Sequence, residues 1–442
     1  MTTILQLSQT MQTLLTTTTE EIAAAHSYVK RPDRAKFTPS TLVQTLVYGW
    51  LAQPAASVEH LAQMAGRLGV DVSPQAIDQR FTDATANLLH QVLMASVQQV
   101  IAADPVVIPI LQRFTSVRVQ DSTRIQLPDS LATTWRAVGN NTTSAQACLK
   151  CGVQLDLLTG VLCALNLDDG RASDQRLPIQ TDPIPAGSLR LADRGFYHES
   201  TLIKLHRDGA FWLTRVPTNV LVAYPGRLPQ PLATFMTDLG PTTTADCAVI
   251  VGGKQQLHAR LVARRVPQEV ADQRRRRILQ QAQYKQRVPS QAALALVNWN
   301  IVITNVPRSL LSLAEVMVMM RVRWQIELLF KAWKSYGLVD EWRTDRAARV
   351  LCEIYAKLLG LVFQQWILAA SSWRDPERSL FKAVQLIAHG TRDLARAHRD
   401  PHAFCHVLQE IAVTLQRWAK TNKRKKQPTT AQRLLALTAS EK

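Results

Sequence analysis

The chain has 442 residues, with 52 lysines and arginines against 34 aspartates and glutamates, so its formal charge is +18 and its pI about 10.0. Such a basic chain is expected to meet a polyanion, nucleic acid ahead of a membrane surface, and no apolar run reaches the ~18 residues of a spanning helix. Six cysteines make no disulfide framework, and the N-terminus MTTILQLSQTMQTLLTTTTEE has neither a basic n-region nor an unbroken apolar stretch, so a reducing, cytoplasmic compartment is expected.

Residues 1–112 read as a helical N-terminal region. TLVQTLVYGWLAQ (41–53), SVEHLAQMAGRLG (57–69) and ANLLHQVLMASVQQVIAAD (86–104) are each apolar on a helical period. Between them VSPQAIDQRFT (72–82) offers a short helix, a turn and polar residues Gln75, Asp78, Gln79 and Arg80. That is the layout of a helix-turn-helix reader, or of an ordinary helical bundle. Lys30, Arg31, Arg34 and Lys36 form a basic segment suited to phosphates.

The period then changes. TSVRVQDSTRIQL (115–127) predicts a strand ending near Asp121, and CLKCGVQLDLLTGVLCALNL (148–167) a hairpin turning at Leu158–Gly160. After the polar stretch DDGRASDQ (168–175), SLRLADRGFYHES (188–200) predicts a fourth strand ending at Asp193. Gly195 then allows a tight turn before a helix from about His198 to His206. DGAFWLTRVP (208–217) is a fifth strand closed by Pro217. Cys148 and Cys151 make a CxxC without a second pair at zinc spacing, so structural thiols are expected there.

Residues 218–297 read as a mostly β insertion with a mobile basic loop around 268–292 that contains Arg274–Arg277. NWNIVITNVP (298–307) returns to strand. LSLAEVMVMMRVRWQIELLFKAWKSYG (311–337) predicts one helix, opened by a Ser312/Glu315 capping box and stopped at Gly337. The chain is helical and apolar from Asp340 to Ser372. Residues 376–442 are helical with a basic tail (Arg417, Lys420, Lys423, Arg424, Lys425, Lys426), expected to be loose past Gln427.

On the 311–337 helix, Arg323, Glu327, Lys331 and Lys334 share one stripe. The stripe is either a solvated face of weak ion pairs or a metal-holding carboxylate flanked by phosphate-holding cations. Asp121 and Asp193 bear on the choice. Each alone reads equally well as a turn aspartate. Together with Glu327, two strand-end acids and one helical acid suit two divalent ions about 3.5–4 Å apart. Hard oxygen ligands select magnesium or manganese over zinc. No HExxH, GxxxxGKS or GxGxxG occurs.

VQDSTRIQLP, LADRGFY, NWNIVITNVP and above all RWQIELLFKAWKS resemble the DDE transposases of bacterial insertion sequences, specifically the insertion-sequence-four family. That family's last motif runs Tyr, Arg, Glu, Lys. Arg323, Glu327 and Lys334 match it, and Met320 stands where the family has the tyrosine that supports a phosphate near the cleaved end.

The resemblance implies an α/β (α+β) fold. An RNase H-like core (113–217 and 298–375) would be interrupted by the β-rich insertion (218–297), with a helical DNA-binding region (1–112) before it and a helical, dimerising region (376–442) after it. It implies cut-and-paste transposition through a hairpin, with Asp121, Asp193 and Glu327 as catalytic residues and ligands of two Mg2+ ions (Mn2+ as substitute). The implied partners are double-stranded DNA, as transposon end repeats and target, and a second copy in a synaptic homodimer. The implied place is the bacterial cytoplasm, at the nucleoid.

Arg323 and Lys334 are expected to clamp phosphates, with Lys331 the weaker candidate. Trp324 and Trp299 are candidates to hold an unstacked nucleotide, although tryptophan at such positions is ordinarily core. The rival readings are an RNase H-like nuclease that cuts without joining, a DNA-binding derivative without catalysis, and a plain helical regulator.

Overall fold

The computed structural model describes residues 2–26, 28, 36–137, 147–253, 255–422 and 428–439. Lys30, Arg31, Arg34 and the tail cations Lys423–Lys426 therefore lie outside the described residues. The fold is mixed α/β, with helices around one sheet. The strands are Val117–Leu127 (β1), Ala147–Asp156 (β2), Leu162–Asp169 (β3), Leu189–Ala192 (β4) and Phe211–Thr214 (β5). Leu221–Ala223 (β6), Gln230–Pro231 (β7), Thr244–Val251 (β8), Leu257–Arg265 (β9) and Trp299–Thr304 (β10) follow. They lie in the order β3-β2-β1-β4-β5-β10-β9-β8-β6-β7. β1, β2 and β3 pair antiparallel, β4 and β5 run parallel to β1, and β10 pairs antiparallel with both β5 and β9.

The hairpin turns where expected. Gly160 takes φ +79, and a side chain there would also meet the Trp373 ring at 2.2 Å, so the position needs glycine twice over. β2 is buried along its whole length, which explains why ACLKCGVQLD does not alternate.

Six expectations change. The tail expected to be loose past Gln427 carries the helix Thr430–Ala439, with Leu434 buried, and the helix expected from Asp340 begins at Ala347. β1 does not end at Asp121 but continues to Leu127, because β2 pairs with it residue by residue from Arg118 to Leu127. The 311–337 helix is two pieces, Leu313–Val322 and Trp324–Ser335, meeting at Arg323; its capping box at Ser312 and Glu315 is present. The basic segment after β9 contains a helix, Gln268–Tyr284, since it is free of glycine and proline and rich in Gln, Arg and Ala. The helix expected to reach residue 104 is Asp83–Val97.

The long helix Ala347–Ser371 is the axis of the main core. Among the described residues it is the one helix long and apolar enough to cross a membrane, yet 94% of its apolar window is buried inside the protein. Helices Pro39–Ala52 and Asp83–Val97 from the N-terminal side pack on it, as do Leu380–Ala397 and Pro401–Trp418 from the C-terminal side. Lys357 lies deep in that packing. Its Nζ pairs with Glu353 at 2.7 Å and donates to the carbonyls of Leu338 and Glu341 at 2.8 Å each. A second apolar cluster, with Trp212, Phe235, Val249, Leu261 and Trp299, fills the insertion side of the sheet.

Candidate active site

Three parallel strands set the first row. Gln120 lies opposite Ala192, and Ala192 opposite Thr214. The next residues along are Asp121, Asp193 and Arg215, so two acids and an arginine stand side by side past the parallel pairing. Open α/β sheets place ligand sites at these carboxyl ends.

The helix Trp324–Ser335 lies along β1. Seven residues of helix advance about 10.5 Å, and three of strand about 10 Å. Glu327 and Lys334 therefore keep step with Asp121 and Arg124. Lys334 Nζ donates to the Arg124 carbonyl at 2.6 Å and lies 3.5 Å from Asp340.

Arg323, at the joint between the two helical pieces, gathers the acids. Its Nη1 donates to Asp121 Oδ2 at 2.8 Å and its Nη2 to Glu327 Oε1. Nη2 also lies 3.9 Å from Asp193 Oδ2, and the Arg323 side chain is only 9% exposed. The three acids singled out in the sequence thus share one buried guanidinium, a placement not visible from helical spacing.

Burial pushes the Asp121 carboxyl up to about 6. The Ser122 N–H, at 2.8 Å, and Arg323 pull it down, while the charges of Asp193 and Glu327 push it further up. Asp193 Oδ1 is shielded from water and takes no hydrogen bond, with Arg215 Nη1 3.7 Å away. An all-carboxylate set suits a hard cation, and a sheltered oxygen without a donor is a group that a cation satisfies. Among the described residues no three acids, histidines or cysteines are spaced to close on an ion. The Arg323 fork stands between the acids.

Sequence reading missed the support beneath this row. Asp174, from the polar DDGRASDQ stretch, accepts from Ser122 Oγ at 2.7 Å and pairs with Lys150 at 2.7 Å. A Cβ on Gly195 would sit 2.5 Å from Asp174 Oδ2, so a side chain there would push the Asp174 carboxyl from its present position. Buried Arg190 donates to Gln120 Oε1 at 2.8 Å and to Gln180. Gln180 in turn donates to the Phe196 carbonyl at 3.0 Å. The available signal was Arg190 standing between Leu189 and Leu191 in an otherwise apolar strand.

A cleft of about 640 Å³ opens beside Asp193, and Arg194, Arg215, Arg274, Arg321 and Arg323 line it. Trp324, Trp299 and Met320 line it as well. A groove of about 550 Å³ shares Arg194 and Arg274 and continues along the Gln268–Tyr284 helix past Arg277 and Lys285.

Trp324 is 54% exposed rather than core, whereas Trp299 is buried under the Arg265 guanidinium, 4.6 Å from its ring centre. Lys331 is exposed, its Nζ 6.0 Å from the Phe381 ring centre. In the N-terminal region Gln75, Gln79 and Arg80 are exposed, but Asp78 is held by Arg346 at 2.7 Å and Arg349 at 3.0 Å. Cys148 and Cys151 are free and buried, and burial pushes the Cys151 thiol up to about 12.

A family model described as a transposase DDE domain matches residues 112–363. The chain is similar to the transposase for insertion sequence element IS231F of Bacillus thuringiensis subsp. israelensis, 27% identical over 365 residues, covering 77% of this chain and 75% of that one. It is also similar to the transposase for insertion sequence element IS1151 of Clostridium perfringens, 22% identical over 338 residues, covering 70% of each. Among solved structures, a piggyBac transposase synaptic complex with hairpin DNA aligns with a TM-score of 0.45 and 10% identity, over 93% of this chain and 83% of that one.

Proposed function

The chain belongs to the transposase DDE domain family, as a DDE transposase of a bacterial insertion sequence that acts in DNA transposition, and from that premise we propose how it acts. The reaction is cut-and-paste: hydrolysis at the element's ends, hairpin formation, then strand transfer into target DNA. Asp121, Asp193 and Glu327 are the catalytic carboxylates. The observation that carries this reading is their convergence on one point from two strands and a helix, up to 206 residues apart in sequence.

These three acids would hold two Mg2+ ions, or Mn2+ in their place. Bound there, the ions would supply Lewis-acid activation of a water or a 3′-hydroxyl and charge stabilisation of the leaving oxygen. Every other task falls to the chain's own residues. Arg194, Arg215, Arg274 and Arg321 give the cleft a cationic wall against which a phosphodiester backbone can lie. Lys334 is held in place by the Arg124 carbonyl, within reach of a phosphate beside the acids. Trp324 presents an open ring to the cleft, suited to stack a base drawn out of the duplex for the hairpin step. Trp299 is the lesser candidate, since Arg265 already covers it. Lys331 is peripheral.

The core is RNase H-like in this reading, supported by three antiparallel strands followed by two that run parallel to the first. The N-terminal helices present Gln75, Gln79 and Arg80 to DNA, the element's terminal repeats are the specific ligand, and two copies pair in the synapse at the nucleoid.

The test is end cleavage with magnesium. Asp121→Ala, Asp193→Ala and Glu327→Ala should each abolish it while DNA binding stays within a few-fold; cleavage retained in any one removes that residue from the site. Strand transfer from precleaved ends separates a transposase from a nuclease that only cuts.

A further inference from the structure

The acids of the site are not waiting apart. Arg323 binds two of them and lies 3.9 Å from the third, and its two N–H arms occupy oxygens that a metal ion would need. A guanidinium here and a divalent ion between the same carboxylates oppose each other, because both are cations and the arms fill the gap between Asp121 and Glu327. Arg323 also lines the arginine-rich cleft beside Asp193, so its side chain borders both the acids and the space that a phosphate backbone would enter. It is rooted at the joint between two helical pieces.

We propose that Arg323 is a resting counter-ion that DNA phosphate draws away from the three carboxylates, so that DNA seating and divalent-ion binding favour each other. This inference rests on the metal-binding role proposed above for Asp121, Asp193 and Glu327. Without DNA, the arginine lessens the repulsion among these half-buried like charges and keeps stray cations out. When a phosphate takes the guanidinium, the acids are left with excess negative charge that the ions relieve. The arginine then stays on the phosphate as a bidentate clamp. Linkage makes the coupling reciprocal: whatever factor DNA adds to ion affinity, ions add to DNA affinity.

Manganese titration of the DNA-free protein, read by the spin resonance of free Mn2+, tests the first half. Arg323→Gln should bind manganese about tenfold more tightly than wild type, within the usual range of such couplings. Arg323→Lys, which keeps a cation without the fork, should fall between. Arg323→Gln should also melt lower than wild type and recover more on adding manganese. A purely structural arginine would lower the melting point with no such recovery.

Anisotropy of a labelled DNA duplex, with and without calcium, tests the second half. Wild type should bind more tightly with calcium, and Arg323→Gln should lose most of that dependence. The proposal is overturned if Arg323→Gln binds manganese no more tightly than wild type, or if wild type shows no calcium dependence, or if the variant keeps all of it. Adding Asp193→Asn to Arg323→Gln separates the two readings. If manganese binding is unchanged by Asp193→Asn, the metal role of the carboxylates fails. If it falls while Arg323→Gln alone gave no gain, only the counter-ion role fails.

Discussion

His398 shows what burial does to one side chain here. Its ring packs edge-on to Tyr48 and Phe404, and its Nδ1 meets the Tyr48 hydroxyl at 2.9 Å. Burial pulls its pKa down from 6.5 to about 4, so the folded chain resists the proton that the unfolded chain accepts. The sign follows. The stability held by neutral His398 is whole above about pH 6.5 and drains away as the pH falls towards 4, by about 3 kcal/mol. Urea unfolding at pH 7 and pH 4.5 should show that drop, and His398→Gln should reduce it. At this scale the sequence showed which acids matter, because Asp121, Asp193 and Glu327 sit in recognisable surroundings. It did not show what Arg323 does, because its Asp121 partner lies 202 residues away. Nor did it show Trp324 exposed, since helical periodicity does not say which stripe another element leaves uncovered.

Elements were legible where local signals agreed. The hairpin turn at Gly160, the capping box at Ser312 and the strand before Asp193 all follow from nearby residues. The break at Arg323 and the run of β1 past Asp121 do not, since they depend on partners elsewhere in the chain. Lys357→Met would leave Glu353 unpaired in the core and free the Leu338 and Glu341 carbonyls. A loss of about 3–5 kcal/mol in denaturant unfolding is expected. Gly195→Ala would push on Asp174 across 2.5 Å and shift the loop that carries Asp193. End cleavage should fall by about 100-fold with little change in melting temperature.

For the molecule as a whole, charge was the most legible property and strand order the least. A net +18 points to a polyanion from composition alone. That β10, far along the chain, would sit between β5 and β9 is a long-range pairing that no local pattern encodes. The groove that runs from Arg194 past Arg274 and Arg277 to Lys285 should carry duplex DNA away from the acids. Arg277→Ala and Lys285→Ala should each weaken binding and reduce the slope of log affinity against log salt by about one; an unchanged slope would place the duplex elsewhere.

The position of β10 also bears on attempts to shorten this protein. With hydrogen-bonded neighbours on both flanks, it is a seam rather than a border. Excising 218–297 and splicing the ends would strip one flank bare and leave a raw sheet margin beside the acids. Such a truncated chain should stick to its own copies through that margin, so a minimal catalytic unit has to keep at least β8 and β9 as a selvedge.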